Sequence, residues 1–236
     1  MAFTSSTPLS FIKVILLWLA VGSSAEAMIK IDGTRLIYTG QHREATIRVT
    51  NVSSQTVALQ AWVSSSEENS SDVPFALARP LIKLNPQQVD VLRILYRGEG
   101  LPKDRESLFW LNVMEIPLKP DRQNSIQMAV RQQLKLFFRP PGLQGTSSAC
   151  VAGLSWKLKN DDSIEVTNTC AFHVSLVDVK IEGRDRSTPL SDYIFLKPEE
   201  TQYFKSAKSF ISSDTKILFV EINDIGLRTE HKTNIQ

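Results

Sequence analysis

Asn124-Ser-Ile-Gln-Met-Ala-Val-Arg-Gln-Gln-Leu-Lys-Leu-Phe-Phe-Arg-Pro140 decides how the rest of the chain is read. Ile126, Met128 and Val130 alternate with Gln127, Ala129 and Arg131, the period-2 pattern of a strand with two unlike faces. Leu134, Leu136 and Phe138 continue the same face, with Gln132 interrupting the row. No Gly or Pro inside the run demands a turn. At roughly 3.3 Å per residue a single strand over this run would extend on the order of 50 Å, well beyond the usual 5–6 residues. Two readings are open. The whole run is a long central strand that fills its own core, or its Ile126–Val130 half is an edge strand whose apolar side chains are lent to another protein.

Working outward, the 236 residues suffice for two domains of about 100 residues. Hydrophobic content of 42% and charged content of 22% are those of a globular chain. A net charge of +2, from scattered Lys and Arg, argues against a nucleic-acid partner. Residues 1–27 read as a cleaved signal peptide: Lys13, then the short apolar run Val14 to Val21, then Ala25-Glu26-Ala27 as the small-x-small cleavage pattern. That run is too short for a membrane span of about 20 residues, so the mature chain is expected to begin near Met28 and not to be embedded in a membrane. Export to an oxidising compartment makes Cys150 and Cys170 a disulfide pair. They flank two strand-like runs, Trp156-Lys-Leu-Lys159 and Ser163-Ile-Glu-Val-Thr167, around an Asn160-Asp-Asp turn that would bring the ends of a hairpin together.

From Met28 to Pro140 the chain reads as about seven short strands with turns every 8–12 residues, the pattern of an immunoglobulin-like sandwich. Ala45 to Thr50, Val57 to Val63, Val89 to Tyr96 and Leu108 to Ile116 are the clearest. The small, polar stretch Gln144 to Ser148 reads as a linker, and a second set of strands follows. Leu196-Lys-Pro echoes Leu84-Asn-Pro, as two related sandwiches would. The fold expected is all-β, with one domain over residues 28–141 and another over 142–236. No helical periodicity persists beyond about two turns, and the polar residues after Arg228 read as a tail.

Catalytic chemistry is not indicated, and no cofactor is implied. His42, His173 and His231 are widely spaced, with no two at ligand spacing on one element. There is no Gly-x-Ser-x-Gly elbow or phosphate-binding Gly loop. His173 and the paired acids Glu199-Glu200 and Asp161-Asp162 are expected to be structural or solvated.

Four segments together resemble the PapD-like periplasmic chaperones of the chaperone–usher pathway. They are Gly33-Thr-Arg-Leu-Ile-Tyr38, Leu101 to Asn112 with Glu115-Ile-Pro117, Ile126 to Pro140, and Ile222-Asn-Asp-Ile-Gly226. The resemblance implies two immunoglobulin-like β-sandwich domains in a boomerang arrangement, located in the periplasm. The implied partners are pilus or fimbrial subunits, which lack a final strand, and an outer-membrane usher that receives them. Ile126, Met128 and Val130 match the donor residues that would enter the subunit's groove, a form of strand addition. Arg35 and Lys135 match the basic pair that anchors the subunit's C-terminal carboxylate. Glu106, Arg139 and Asp224 match an ionic network between the domains. The connection from Pro117 to Asn124 is similar to the short-loop branch of the family. The sequence leaves open whether the free protein hides this strand by self-association; if it does, a homodimer would form through Ile126–Val130. The competing expectation, an exported pilin or adhesin, would want a free donor arm at the mature N-terminus, whereas Met28 leads almost directly into a strand.

Overall fold

The computed structural model describes residues 28–66, 73–116, 128–159, 163–183, 187–205 and 215–236. The first half contains β1 (Ile29–Ile31), β2 (Arg35–Thr39), β3 (Glu44–Asn51), β4 (Val57–Ser65), β5 (Phe75–Leu77), β6 (Leu81–Leu84), β7 (Val89–Tyr96), β8 (Ser107–Ile116) and β9 (Arg131–Arg139). They form two facing sheets, β2-β9-β8-β4-β6 and β1-β3-β7-β5. The nine segments correspond to seven strands because two of them change sheet part-way. The first turns at Gly33, whose φ of 137° favours glycine, so that β1 pairs with β3 and β2 with β9. The apolar segment from Phe75 to Leu84 likewise divides, β5 pairing with β7 and β6 with β4. Alternation in β3 and β7 places Ala45, Ile47, Val49, Leu92 and Ile94 inside. Tyr38, Phe75, Tyr96, Phe109 and Phe138 meet as a cluster of rings at tilted or edge-on angles.

β9 is shorter than the opening stretch allows. Residues 124–127 lie outside the described residues, and Met128 to Val130 precede the strand. β9 pairs with β8 from Arg131 opposite Met114 to Phe138 opposite Ser107. Beyond Arg131 one further backbone bond, Glu115 N to Val130 O at 3.0 Å, holds the chain. Leu134, Leu136 and Phe138 are buried in the core, as expected of that half of the run.

The second half contains α1 (Ser147–Ala152), β10 (Ser155–Lys159), β11 (Ser163–Thr167), β12 (Val174–Glu182), β13 (Ser187–Leu196), β14 (Thr201–Lys205), β15 (Lys216–Ile222) and β16 (Arg228–Asn234). Sheets β10-β11-β14 and β13-β12-β15-β16 enclose a core that includes Trp156, Ile164, Leu176, Ile194 and Phe219. Two features differ from the sequence reading. The stretch taken as a linker runs into α1, a helix capped by Thr146, whose Oγ1 accepts from Ala149 N at 3.2 Å. The polar tail is in fact β16, an edge strand paired in full with β15. Its side chains are mostly exposed, so backbone pairing rather than an apolar row makes it a strand. Among the described residues no helix is long and apolar enough to cross a membrane.

Cys150 of α1 and Cys170 are joined, with Cα atoms 5.7 Å apart, across the β10–β11 hairpin. The bridge closes a segment with a sequence separation of 20. Replacing both cysteines by Ser is expected to lower the unfolding free energy by about 3 kcal/mol, from the loop-closure estimate for a segment of that size. Urea unfolding followed by Trp fluorescence checks this, since Trp156 lies in the same core.

Candidate functional site

β2 and β9 run parallel and in register, which sets Arg35 directly opposite Lys135. Like charges side by side on one sheet face repel. Neither residue forms an ion pair with a carboxylate among the described residues; their partners are neutral. Arg35 Nη1 donates to the Ile222 carbonyl at 2.9 Å, while its Nε is buried without a partner. Lys135 Nζ donates to the Tyr193 hydroxyl and lies 3.5 Å from Ser175 Oγ. It also stands over the Phe195 ring, 3.8 Å from the centroid. Burial, and then the charge of Arg35, lowers the Lys135 pKa to about 8. Burial lowers that of Arg35 too, against the opposing pull of Tyr193, Asp224, Glu106 and Glu221.

Arg139, at the far end of β9, faces the opposite situation. Its Nη1 and Nη2 make a two-pronged contact with Asp224 at 2.7 Å each, and its Nε donates to Glu106 Oε1 at 2.8 Å. The structure therefore brings together all three residues of the expected network, two from the first sandwich and one from the second. Glu106 is fully engaged: its Oε2 accepts from His173 N and lies 2.8 Å from His173 Nδ1. Ser147 Oγ donates to Asp224 Oδ1 at 2.7 Å. Burial alone would raise the Asp224 pKa, but the hydrogen bonds from Arg139 and Ser147 outweigh it and hold the carboxyl below its ordinary value. The loop carrying Asp224 approaches the first sandwich so closely that a Cβ on Gly226 would stand 2.6 Å from Thr34 Oγ1, and Gly226 has a φ of 80°.

Of the three expected donor residues, Ile126 lies outside the described residues. Met128 is 74% exposed and Val130 is 37% exposed, high for apolar side chains. β2 covers β9 only from Lys135 to Arg139. From Arg131 to Leu134 the strand has β8 on one side and, among the described residues, no paired strand on the other. Gln132 Nε2 reaches across that side to the Ile29 carbonyl at 2.8 Å.

Residues 28–144 match the family description "Pili and flagellar-assembly chaperone, PapD N-terminal domain", and residues 150–233 match "Pili assembly chaperone PapD, C-terminal domain". The chain belongs to the PapD family of pilus-assembly chaperones. It is 32% identical to the probable fimbrial chaperone YadV of Escherichia coli over 222 residues, 88% of this chain and 90% of that one. It is 36% identical to the chaperone protein LpfB of Salmonella typhimurium over 175 residues, 72% of this chain and 75% of the other. The crystal structure of the CupB2 chaperone of Pseudomonas aeruginosa superposes with a TM-score of 0.75 at 30% identity, covering 88% of this chain and all of that one. These likenesses establish a non-enzymatic chaperone built from two immunoglobulin-like sandwiches.

Within this chaperone the sequence reading missed the partners that finish the site. Ser147 and His173 complete the Arg139 network, and Ser175, Tyr193 and Phe195 surround Lys135. Arg139→Ala should destabilise the protein by roughly 3–5 kcal/mol, since it removes the guanidinium from the buried Glu106 carboxylate and leaves Oε1 without its hydrogen bond. The pH dependence follows from Asp224. Its folded pKa is depressed, so its contribution is fully present above the ordinary carboxylate range and is lost as pH falls through the folded value. Acid unfolding below about pH 4 should accordingly be steeper in the wild type than in Asp224→Asn, as read by circular dichroism.

Proposed function

We propose that the chaperone captures a pilus subunit by adding the Ile126–Val130 segment and the start of β9 to it as a strand, and holds the subunit's C-terminal carboxylate with Arg35 and Lys135. The observation that carries this reading is the cation pair. Two half-buried positive groups stand in direct register without a carboxylate from the described residues, and burial and mutual repulsion already weaken the charge on Lys135. An incoming carboxylate would relieve the repulsion and accept charge-assisted hydrogen bonds from both.

The open side of β9 and the exposure of Met128 and Val130 support the second element, strand addition. Main-chain bonds along the open edge would supply affinity, and side chains at every second position would supply the fit to a groove. Met128 suits an irregular groove because its unbranched side chain adapts. In the unloaded state the same edge would be covered by a second copy of the chaperone, as an exposed strand requires protection. The Glu106–Arg139–Asp224 network would fix the two sandwiches at the angle that presents β9. The short Pro117–Asn124 connection supports a reading as a short-loop member of the family. Residues 1–27 would direct export and be removed, leaving domains over 28–141 and 142–236 in the periplasm, from which the loaded chaperone goes to an outer-membrane usher.

Co-expression in the periplasm with pilin-like subunits of the same genome tests this reading. The wild type should be recovered in a one-to-one complex. Arg35→Ala and Lys135→Ala should each reduce recovery on the order of tenfold or more, the loss expected for a hydrogen bond to a charged group. Equal recovery of all three would rule out the anchor.

A further inference from the structure

Lys135 belongs to the first sandwich, yet the oxygens it meets belong to the second: Tyr193 on β13 and Ser175 on β12. An ammonium has three N–H donors. Two are directed at these hydroxyls, which leaves one without an oxygen partner among the described residues. Phe195, two residues along β13 from Tyr193 and on the same face, places its ring beneath the ammonium. Tyr193 and Phe195 are stacked with an interplanar angle of 11°, and Phe195 is stacked in turn on buried His173 at 14°. His173 is bound to Glu106, which is bound to Arg139. The tyrosine is therefore the outer end of a continuous shelf anchored in the network between the sandwiches. It remains 49% exposed and buries little of the core.

We propose that Tyr193 is a positioning residue of the carboxylate anchor, whose hydroxyl fixes the Lys135 ammonium beside Arg35 so that both cations face one carboxylate. Its premise is that Arg35 and Lys135 bind the subunit's C-terminal carboxylate. The physical need is clear from the charges. A lysine side chain has many rotamers and strong hydration, and beside Arg35 it would swing away into water. An oxygen acceptor on one side and an aromatic face on another keep it in the cleft and keep it charged. The titratable groups facing Lys135 are Arg35 from β2 and Tyr193 from β13. β8 contributes Trp110 and β12 contributes Ser175, and neither ionises in this range. Burial raises the Tyr193 pKa, so the hydroxyl stays neutral and able to accept from the ammonium.

The test measures binding of a synthetic peptide to the purified chaperone between pH 6 and 10. The peptide carries the last dozen residues of a pilin-like subunit of the same genome, once as the free acid and once as the C-terminal amide. With the wild type, free-acid binding should fall as pH rises past about 8, because the unbound lysine loses its proton there and the carboxylate loses a partner. The amide should bind weakly and show no such fall. Tyr193→Phe should weaken free-acid binding at pH 7 by roughly tenfold and move the midpoint of the fall down by about one pH unit, with the amide unaffected. Adding Lys135→Arg to Tyr193→Phe should abolish the midpoint, since arginine stays charged throughout. A Tyr193→Phe profile that coincides with that of the wild type would overturn the role of Tyr193 and leave the anchor standing. Free acid and amide bound alike by the wild type would overturn the anchor and this role with it. Unchanged thermal unfolding of Tyr193→Phe separates either result from misfolding.

Discussion

Arg139 is the charged contact that bridges the two sandwiches. Its guanidinium satisfies a carboxylate from each: Glu106, just before β8, and Asp224, in the loop after β15. Ion pairs taken out of water contribute little net stability, because desolvation offsets most of the attraction. What they enforce is geometry. A two-pronged contact of a planar guanidinium with a carboxylate tolerates little rotation, and Glu106 is held further by His173 through both a backbone and a ring nitrogen. Around this fixed point the smaller contacts follow, including Glu106 N to Ala171 O at 2.8 Å and the close approach of Gly226 to Thr34.

That fixed point gives β9 different surroundings along its length. Its C-terminal end carries Arg139 and is locked between β2 and β8. Its middle carries Lys135, which crosses to the second sandwich and meets Ser175, Tyr193 and Phe195. Its N-terminal end leaves one edge open, with Met128 and Val130 exposed just before it. One face of the strand is ordinary core, Leu134, Leu136 and Phe138, and that burial makes the rest of the strand rigid enough to present an edge. The proposed strand addition and carboxylate anchor use adjacent parts of the same element, so the register of one sets the register of the other.

The cleft stores an electrostatic tension that the rest of the fold resolves. Arg139 is surrounded by acids and holds its proton firmly, whereas Arg35 and Lys135, on the same face of adjoining strands, find only neutral oxygens and a ring among the described residues. A fold optimised for stability alone would place a carboxylate there. Leaving it out keeps two donors available for the proposed negatively charged terminus.

Much of this was legible along the chain. Clean alternation in Ala45 to Thr50, with short strand-like runs and turns at regular spacing, determined two-faced strands, and two sets of them determined an all-β sandwich architecture. The cysteines could be paired because they flank one local hairpin. Arg35, Lys135, Glu106, Arg139 and Asp224 were found through family resemblance rather than periodicity, since a charge on a strand face carries no pattern of its own. Other features depended on distant partners. β16 was missed because its side chains are solvated and only the ladder with β15 makes it a strand. How much of β9 lies between two strands was set by β2, which covers only Lys135 to Arg139, not by the residues of β9. Tyr193 and Lys135 are 58 positions apart, and Arg35 and Ile222 are 187 apart. By itself the sequence determined which residues alternate, turn and pair locally, because those properties follow from neighbouring side chains. Only the tertiary structure decided which cations remain without a carboxylate and which hydroxyl holds Lys135, because both depend on two sandwiches being brought together around Arg139.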